Sequence, residues 1–262
     1  MEPGPAIPAR IMTGMPTLLH RRGRWARAWR AEFRRFVSLR VQGVLLAVAA
    51  AGAIALGAGR LFALGLGAPD EQILSAVAAG GDISPFFVGL GAALFASADL
   101  SSRQFALTLL QMKGRALVFC AKIIVLVSTA VITGVGAMLL IAPIAVHRGA
   151  SLDRDTIPYW LAVPALHAFF ALLGAAIGMI VRSVVGTVFA YLAFIWALPL
   201  VVAIAGIWVP SFSGPLLQIA PVTLTAAMLD PTTQIGAAAR FCLMDGVLLA
   251  VGFVSLLRWR IR

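Results

Sequence analysis

Residues 159–208 read YWLAVPALHAFFALLGAAIGMIVRSVVGTVFAYLAFIWALPLVVAIAGIW, and within them Arg182 is the sole Lys, Arg, Asp or Glu. A helix rises 1.5 Å per residue, so about 20 apolar residues cross the roughly 30 Å hydrocarbon core of a bilayer. The stretch is long enough for two crossings, about 159–181 and 184–208, with only Arg182 and Ser183 between them. These two residues must form a tight helical hairpin.

Outward from this pair the pattern repeats. Further apolar segments cover roughly 41–66 (interrupted by Arg60 near its far end), 84–98, 117–146 and 240–257. The segment at 84–98 is short for a crossing unless it extends into its polar flanks, and that at 117–146 is long enough to tilt or project. Of the 262 residues, 61% are hydrophobic and 12% charged. A soluble domain carries about 25% charged residues, so this apolar excess cannot be hidden in one water-soluble core. The chain reads as an all-α integral membrane protein, with a six-span domain over 41–258.

The net charge of +11 would point to nucleic acid in a soluble protein. In a membrane protein it reports topology, because Lys and Arg concentrate on the cytoplasmic side. With the N-terminus inside, the cytoplasmic side holds nine arginines before residue 41, then Arg103, Lys113, Arg115, Lys122, Arg182, Arg258, Arg260 and Arg262. The outside holds Arg60, Arg148, Arg154 and Arg240. Seventeen of the 21 basic residues thus fall inside. Both termini are expected in the cytoplasm, with Asp70, Glu71, Asp82, Asp153, Asp155 and Asp230 outside.

Residues 1–20 carry four prolines and two glycines and read as a flexible tail. A cleaved signal peptide is not expected, since the first apolar run begins near Val41 and exceeds the usual h-region. Residues 21–40 read as an amphipathic interfacial helix. Trp25, Trp29, Phe33 and Phe36 recur at helical spacing, and Arg24, Arg27, Arg30, Arg34 and Arg35 fill the other faces. That pairing suits lipid headgroups. Residues 259–262 form a short basic tail.

Between the second and third spans lies SADLSSRQFALTLLQMKGRALVFCAK, Ser97–Lys122, a charged island on the cytoplasmic side. Ser101 and Gln104 have capping-box spacing, and Phe105, Leu109 and Met112 form one apolar stripe. This predicts a short amphipathic helix under the membrane. It either rests on the surface as an anchor or docks into a cytoplasmic partner. On the other side, VPSFSGPLLQIAPVTLTAAMLDPTTQIGAAAR is too apolar for a solvated loop and too rich in proline for a span. PLLQIA and PVTLTAAML are expected as two short helices dipping into the outer leaflet.

Several chemistries find no residues here. There is no phosphate-cradling GxxxxGK[ST] loop and no HExxH, and His20, His147 and His167 are scattered. Ser211–Pro215, SFSGP, is a poor match to an intramembrane serine nucleophile, and no polar residues cluster at one depth. Cys120 and Cys242 are far apart and apolar in setting, suggesting neither a disulfide framework nor zinc. Mid-span ionisable residues, the usual relays of coupled carriers, are nearly absent. Asp245 either pairs with Arg240 or faces a cavity. Small residues at Gly43, Ala47, Ala50 and Gly57, and at Gly186, Ala190, Ala193 and Ala197, either allow close helix approach or reflect general Ala and Gly abundance.

Two features carry a resemblance. AEFRRFVSLR at Ala31–Arg40 runs into the first span. Ala98–Asp99–Leu100, Leu109–Leu110, Lys113–Arg115 and Ala121–Lys122 then follow as an acidic step, a Leu-rich stretch, a basic turn and an Ala-Lys. This organisation resembles the permease subunit of a bacterial type-2 ABC exporter, although Asp99 replaces the usual Glu and Ser101–Gln104 replaces Gly-Thr. The Pro-centred segment before the last span resembles that family's re-entrant outer hairpin.

The resemblance implies an ATP-driven exporter of the bacterial cell membrane, exporting a hydrophobic or amphipathic compound such as a drug, an antibiotic peptide or a lipid-like molecule. The chain itself would be no enzyme and hold no cofactor. ATP and Mg would sit on a separate cytosolic nucleotide-binding subunit, and a second permease would complete the pathway. The coupling helix would comprise Asp99, Arg103, Gln104, Phe105, Leu109, Lys113, Arg115 and Lys122. The connecting helix would comprise Trp25, Trp29, Glu32, Phe33, Arg34 and Phe36. The alternative is a non-transporting membrane scaffold or immunity subunit.

Overall fold

The computed structural model describes residues 16–65, 67–101, 115–208 and 210–258, and every regular element among them is helical. Helix α1 runs over Pro16–Ser38, and one extended residue, Leu39, separates it from α2, Arg40–Ala63. Helix α3, Asp70–Ala78, leads through a 3-10 turn at Ala79–Gly81 towards α4, Ser84–Ser101. Helix α5 covers Arg115–His147 and α6 covers Ile157–Val181. Helix α7, Val184–Gly206, contains a π turn at Ala193–Ala197. The short helices α8, Pro210–Leu217, and α9, Pro221–Met228, precede α10, Gln234–Leu257.

Six described segments are long and apolar enough to cross a membrane: α2, Asp70–Ala98 (α3 with most of α4), α5, Arg154–Val181, α7 and α10. The chain is a multi-pass membrane protein. The second segment, short at 84–98 in the sequence, gains most of its length through α3 and the 3-10 turn, and α4 itself runs on to Ser101. The last begins at Gln234, six residues before the apolar run. Helix α1 begins at Pro16, within the stretch read as a tail, and proline's fixed φ suits a first turn. Two short helices occur in the proline-cut segment, each opening on a proline: α9 coincides with the expected PVTLTAAML, whereas α8 starts at Pro210 and carries Pro215 inside it, so PLLQIA is not a helix of its own.

Helix α6 is the centre of the bundle and α7 its margin: 72% of the membrane window of α6 is buried, against 11% for α7. Helix α4 crosses α6 backbone to backbone. A Cβ on Gly174 or Gly178 would overlap the carbonyls of Gly89 and Ala93. In lipid, where apolar burial offers little drive, small residues associate helices by such close packing. Tyr191 of α7 is fully buried against α4 and donates its hydroxyl to the Phe86 carbonyl at 3.0 Å. On the far flank of α6, Phe241 of α10 stacks on Phe169 with centroids 5.0 Å apart.

The α6–α7 hairpin closes as its length demands. Arg182 takes a left-handed conformation, φ 62°, and its N–H donates to the Gly178 carbonyl at 3.1 Å. Ser183 then caps α7 by accepting from the Gly186 N–H at 3.3 Å. At the opposite end of the bundle the loops are tied by polar contacts. Asp70 accepts from the Ser151 N–H at 3.2 Å and from its hydroxyl, and Arg148 donates to the Leu64 carbonyl at 3.2 Å. Arg60 pairs with Asp82 at 3.0 Å. Asp230 accepts from the Thr232 hydroxyl and N–H at 2.7 and 2.9 Å, which holds its carboxyl below the usual carboxylate value.

Candidate functional site

The candidate surface lies where α1, the end of α4, the start of α5, the α6–α7 hairpin and the end of α10 meet. Helix α1 presents two stripes. Trp25, Trp29 and Phe33 are exposed, with Trp29 and Phe33 stacked at 5.4 Å. Ala28, Glu32 and Phe36, one turn apart, are buried. The sequence expectation put Phe36 with the outward rings; the structure turns it inward, edge-on to Phe95 of α4 at 5.3 Å. Arg34 is exposed.

Glu32 is the only acidic residue of 21–40, and it explains the inward stripe. Its Oε2 lies 3.2 Å from the Nζ of Lys122 in α5, and both side chains are nearly sealed from the surface, at 3% and 4% exposure. The same ammonium sits 4.0 Å over the Phe95 ring. A buried charge is tolerated when it is paired, and a ring face adds further attraction. The three residues come from α1, α4 and α5, so one cation joins three elements.

A second junction involves two arginines. The last carbonyls of a helix have no partner within it. Those of α10 are taken by Arg115, which donates to Leu256 at 3.3 Å and to Leu257, and by Arg182, which donates to Ser255. Arg182 also reaches the Ser255 hydroxyl at 2.6 Å. Cations at a helix C-terminus also suit its partial negative charge. Arg115 is the first residue of α5, so the start of α5 and the end of α10 are held together.

Of the residues expected at the coupling and connecting helices, the structure brings together Glu32, Phe36 and Lys122, and places Arg115 against α10. Trp25, Trp29, Phe33 and Arg34 lie on the outer surface of α1. Asp99 falls in the last turn of α4. Arg103, Gln104, Phe105, Leu109 and Lys113, and with them the predicted helix under the membrane, lie outside the described residues.

Some expectations take a different form. Arg240 and Asp245 form no ion pair: Arg240 is exposed, whereas Asp245 is buried at 1% exposure with neither carboxylate oxygen hydrogen-bonded. Five residues along a helix carry the two side chains to opposite sides. The inward face of α2 is Gln42, Ala49, Ala53 and Gly57, with Gly43 and Ala47 exposed. That of α7 is Thr187, Tyr191 and Ile195, with Ala193 and Ala197 exposed. The Glu32–Lys122 pair escaped sequence reasoning, although a lone acid in a basic helix and a lone lysine in an apolar one were its visible signal.

The chain matches no family model, and no curated protein matches it.

Proposed function

We propose that the chain is the membrane-spanning permease subunit of an ATP-driven exporter, coupled to a separate cytosolic ATPase and paired with a second permease. The observation that carries this reading is the sealed Glu32–Lys122 pair. It fastens α1 to the root of a spanning helix, α5, which directly follows residues 102–114 in the sequence. Work delivered to that end of the bundle by a partner would reach α1, α4, α5 and α10 together. Six apolar spans and the absence of a phosphate-cradling loop in the chain agree with a fuelled partner elsewhere.

In this reading residues 102–114 dock into the nucleotide-binding subunit, with Phe105 and Leu109 as apolar contacts and Arg103, Lys113 and Arg115 at the rim. Both termini are cytoplasmic, α8 and α9 lie in the outer leaflet, and the exported compound is hydrophobic or amphipathic. The test is purification of the tagged chain from its own cells in mild detergent, asking whether a P-loop ATPase stays bound. Wild type is expected to retain the ATPase, and Phe105→Asp to insert normally but lose it. Retention by Phe105→Asp in normal yield removes Phe105 from the docking surface. Failure of the wild type to bind any P-loop ATPase favours a non-transporting scaffold or immunity subunit instead.

A further inference from the structure

A cavity of about 180 Å³ lies between α7, the α8–α9 turn and α10. Phe194, Leu198 and Val202 of α7 form one wall, Ile219 and Pro221 of the turn another, and Met244 of α10 the floor. No side chain lining it carries a hydroxyl, an amide or a charge. An apolar cavity of about 150 Å³ stays dry and takes up small hydrocarbons. This one exceeds that size and exposes almost no polar surface to water.

Its walls are braced apart. The π turn at Ala193–Ala197 and Pro199 directly after it set the path of α7 on one side, and Pro221 opens α9 on the other. Proline fixes φ and π turns bulge a helix, so neither wall can collapse by a simple rotamer change. The α7 wall also belongs to the most exposed span. Leu198 is 49% exposed, and Trp196, Leu200, Val201 and Ile204 continue the same apolar surface. At this depth the medium bathing that surface is hydrocarbon.

We propose that this cavity is a lipid site, holding part of the acyl chain of a bilayer phospholipid from the leaflet adjoining the α8–α9 turn. The site does not depend on the transport reading. The headgroup stays at the interface and the tail enters between α7 and α9, over Met244.

The experiment uses the full chain in nanodiscs containing a phosphatidylcholine with a photoactivatable diazirine near one tail end. Adducts are mapped by mass spectrometry. Adducts are expected at Met244, Val202 and Ile219 in the wild type. In Val202→Phe, which fills the cavity from the lipid side, the yield at Met244 and Ile219 should fall about tenfold, the loss expected for roughly two buried methylenes. Val201→Phe, a neighbouring exposed position, should leave it unchanged. Ala220→Leu fills the cavity from the opposite wall and should act like Val202→Phe. A second arm supplies the diazirine on a free single-chain amphiphile in unlabelled lipid. Labelling by the amphiphile but not by the phospholipid overturns the lipid assignment, as does Met244 labelling that both filling variants leave intact. Absence of adducts at Met244 and Ile219, with Leu200 labelled, shows a closed or otherwise covered cavity and also overturns it.

Discussion

Lys122 carries the sharpest consequence at the level of single residues. Its ammonium is nearly sealed from the surface, with Glu32 at 3.2 Å and the Phe95 face beneath it. Removing one member of such a pair strands the other charge, at about 3–5 kcal/mol, whereas replacing both with apolar side chains of similar size is often neutral. Lys122→Met is therefore expected to lower the unfolding midpoint in detergent markedly, and Glu32→Leu with Lys122→Met to recover most of the loss. A double variant as unstable as the single ones would show that the pair contributes more than mutual neutralisation. Arg182 sets a second test. Arg182→Ala keeps the left-handed strain and loses the bonds to Ser255, whereas Arg182→Gly loses the same bonds but relieves the strain. The glycine variant should be more stable than the alanine variant by about 1 kcal/mol, measured by the same thermal scan. The sequence marks Glu32 and Lys122 as isolated charges but cannot pair residues so far apart along the chain, and a left-handed arginine carries no local signature.

Among the elements, the close crossing of α4 and α6 is the most exacting. Gly174 leaves no space for a side chain against the Gly89 carbonyl. Gly174→Val must push the helices apart, and overpacking of this kind costs about 1–3 kcal/mol. The expected result is a lower unfolding midpoint together with faster proteolysis of α4. Gly136, which faces open space, should accept valine with little change. The lengths of the helices were legible because crossing a bilayer needs a long apolar run, and α2, α5, α6 and α7 fall within a few residues of their expected bounds. The α3–α4 break was not. It sits where Gly80 packs against the Ala53 carbonyl of α2, a contact between distant parts of the chain. The π turn in α7 was hidden for a similar reason, since AFIWA reads as ordinary apolar helix.

Taken as one body, the described residues carry different charge balances at the two ends. Arg115, Arg182 and Arg258 gather at one, and Asp70, Asp82, Asp153 and Asp230 lie with Arg60 and Arg148 at the other, with apolar helix between. Cysteine labelling in a background lacking Cys120 and Cys242 tests the arrangement. Cysteines at positions 113 and 258 should react with an impermeant reagent from the same side, and those at 151 and 232 from the opposite side. Reaction of 151 and 258 from one side would break the six-span topology. The basic-residue counts supply the orientation this labelling would test, while the burial order, α6 inside and α7 at the rim, needed the packing of Gly174 and Tyr191 to become visible.

The two guanidiniums that grip the tail of α10 offer a practical vantage point. Position 258 is exposed, yet it immediately follows the carbonyls that Arg115 and Arg182 hold. An environment-sensitive dye placed there would be a stationary lamp at the junction of α5 and α10, and its colour would report whether the proposed partner arrives or leaves at this end of the bundle.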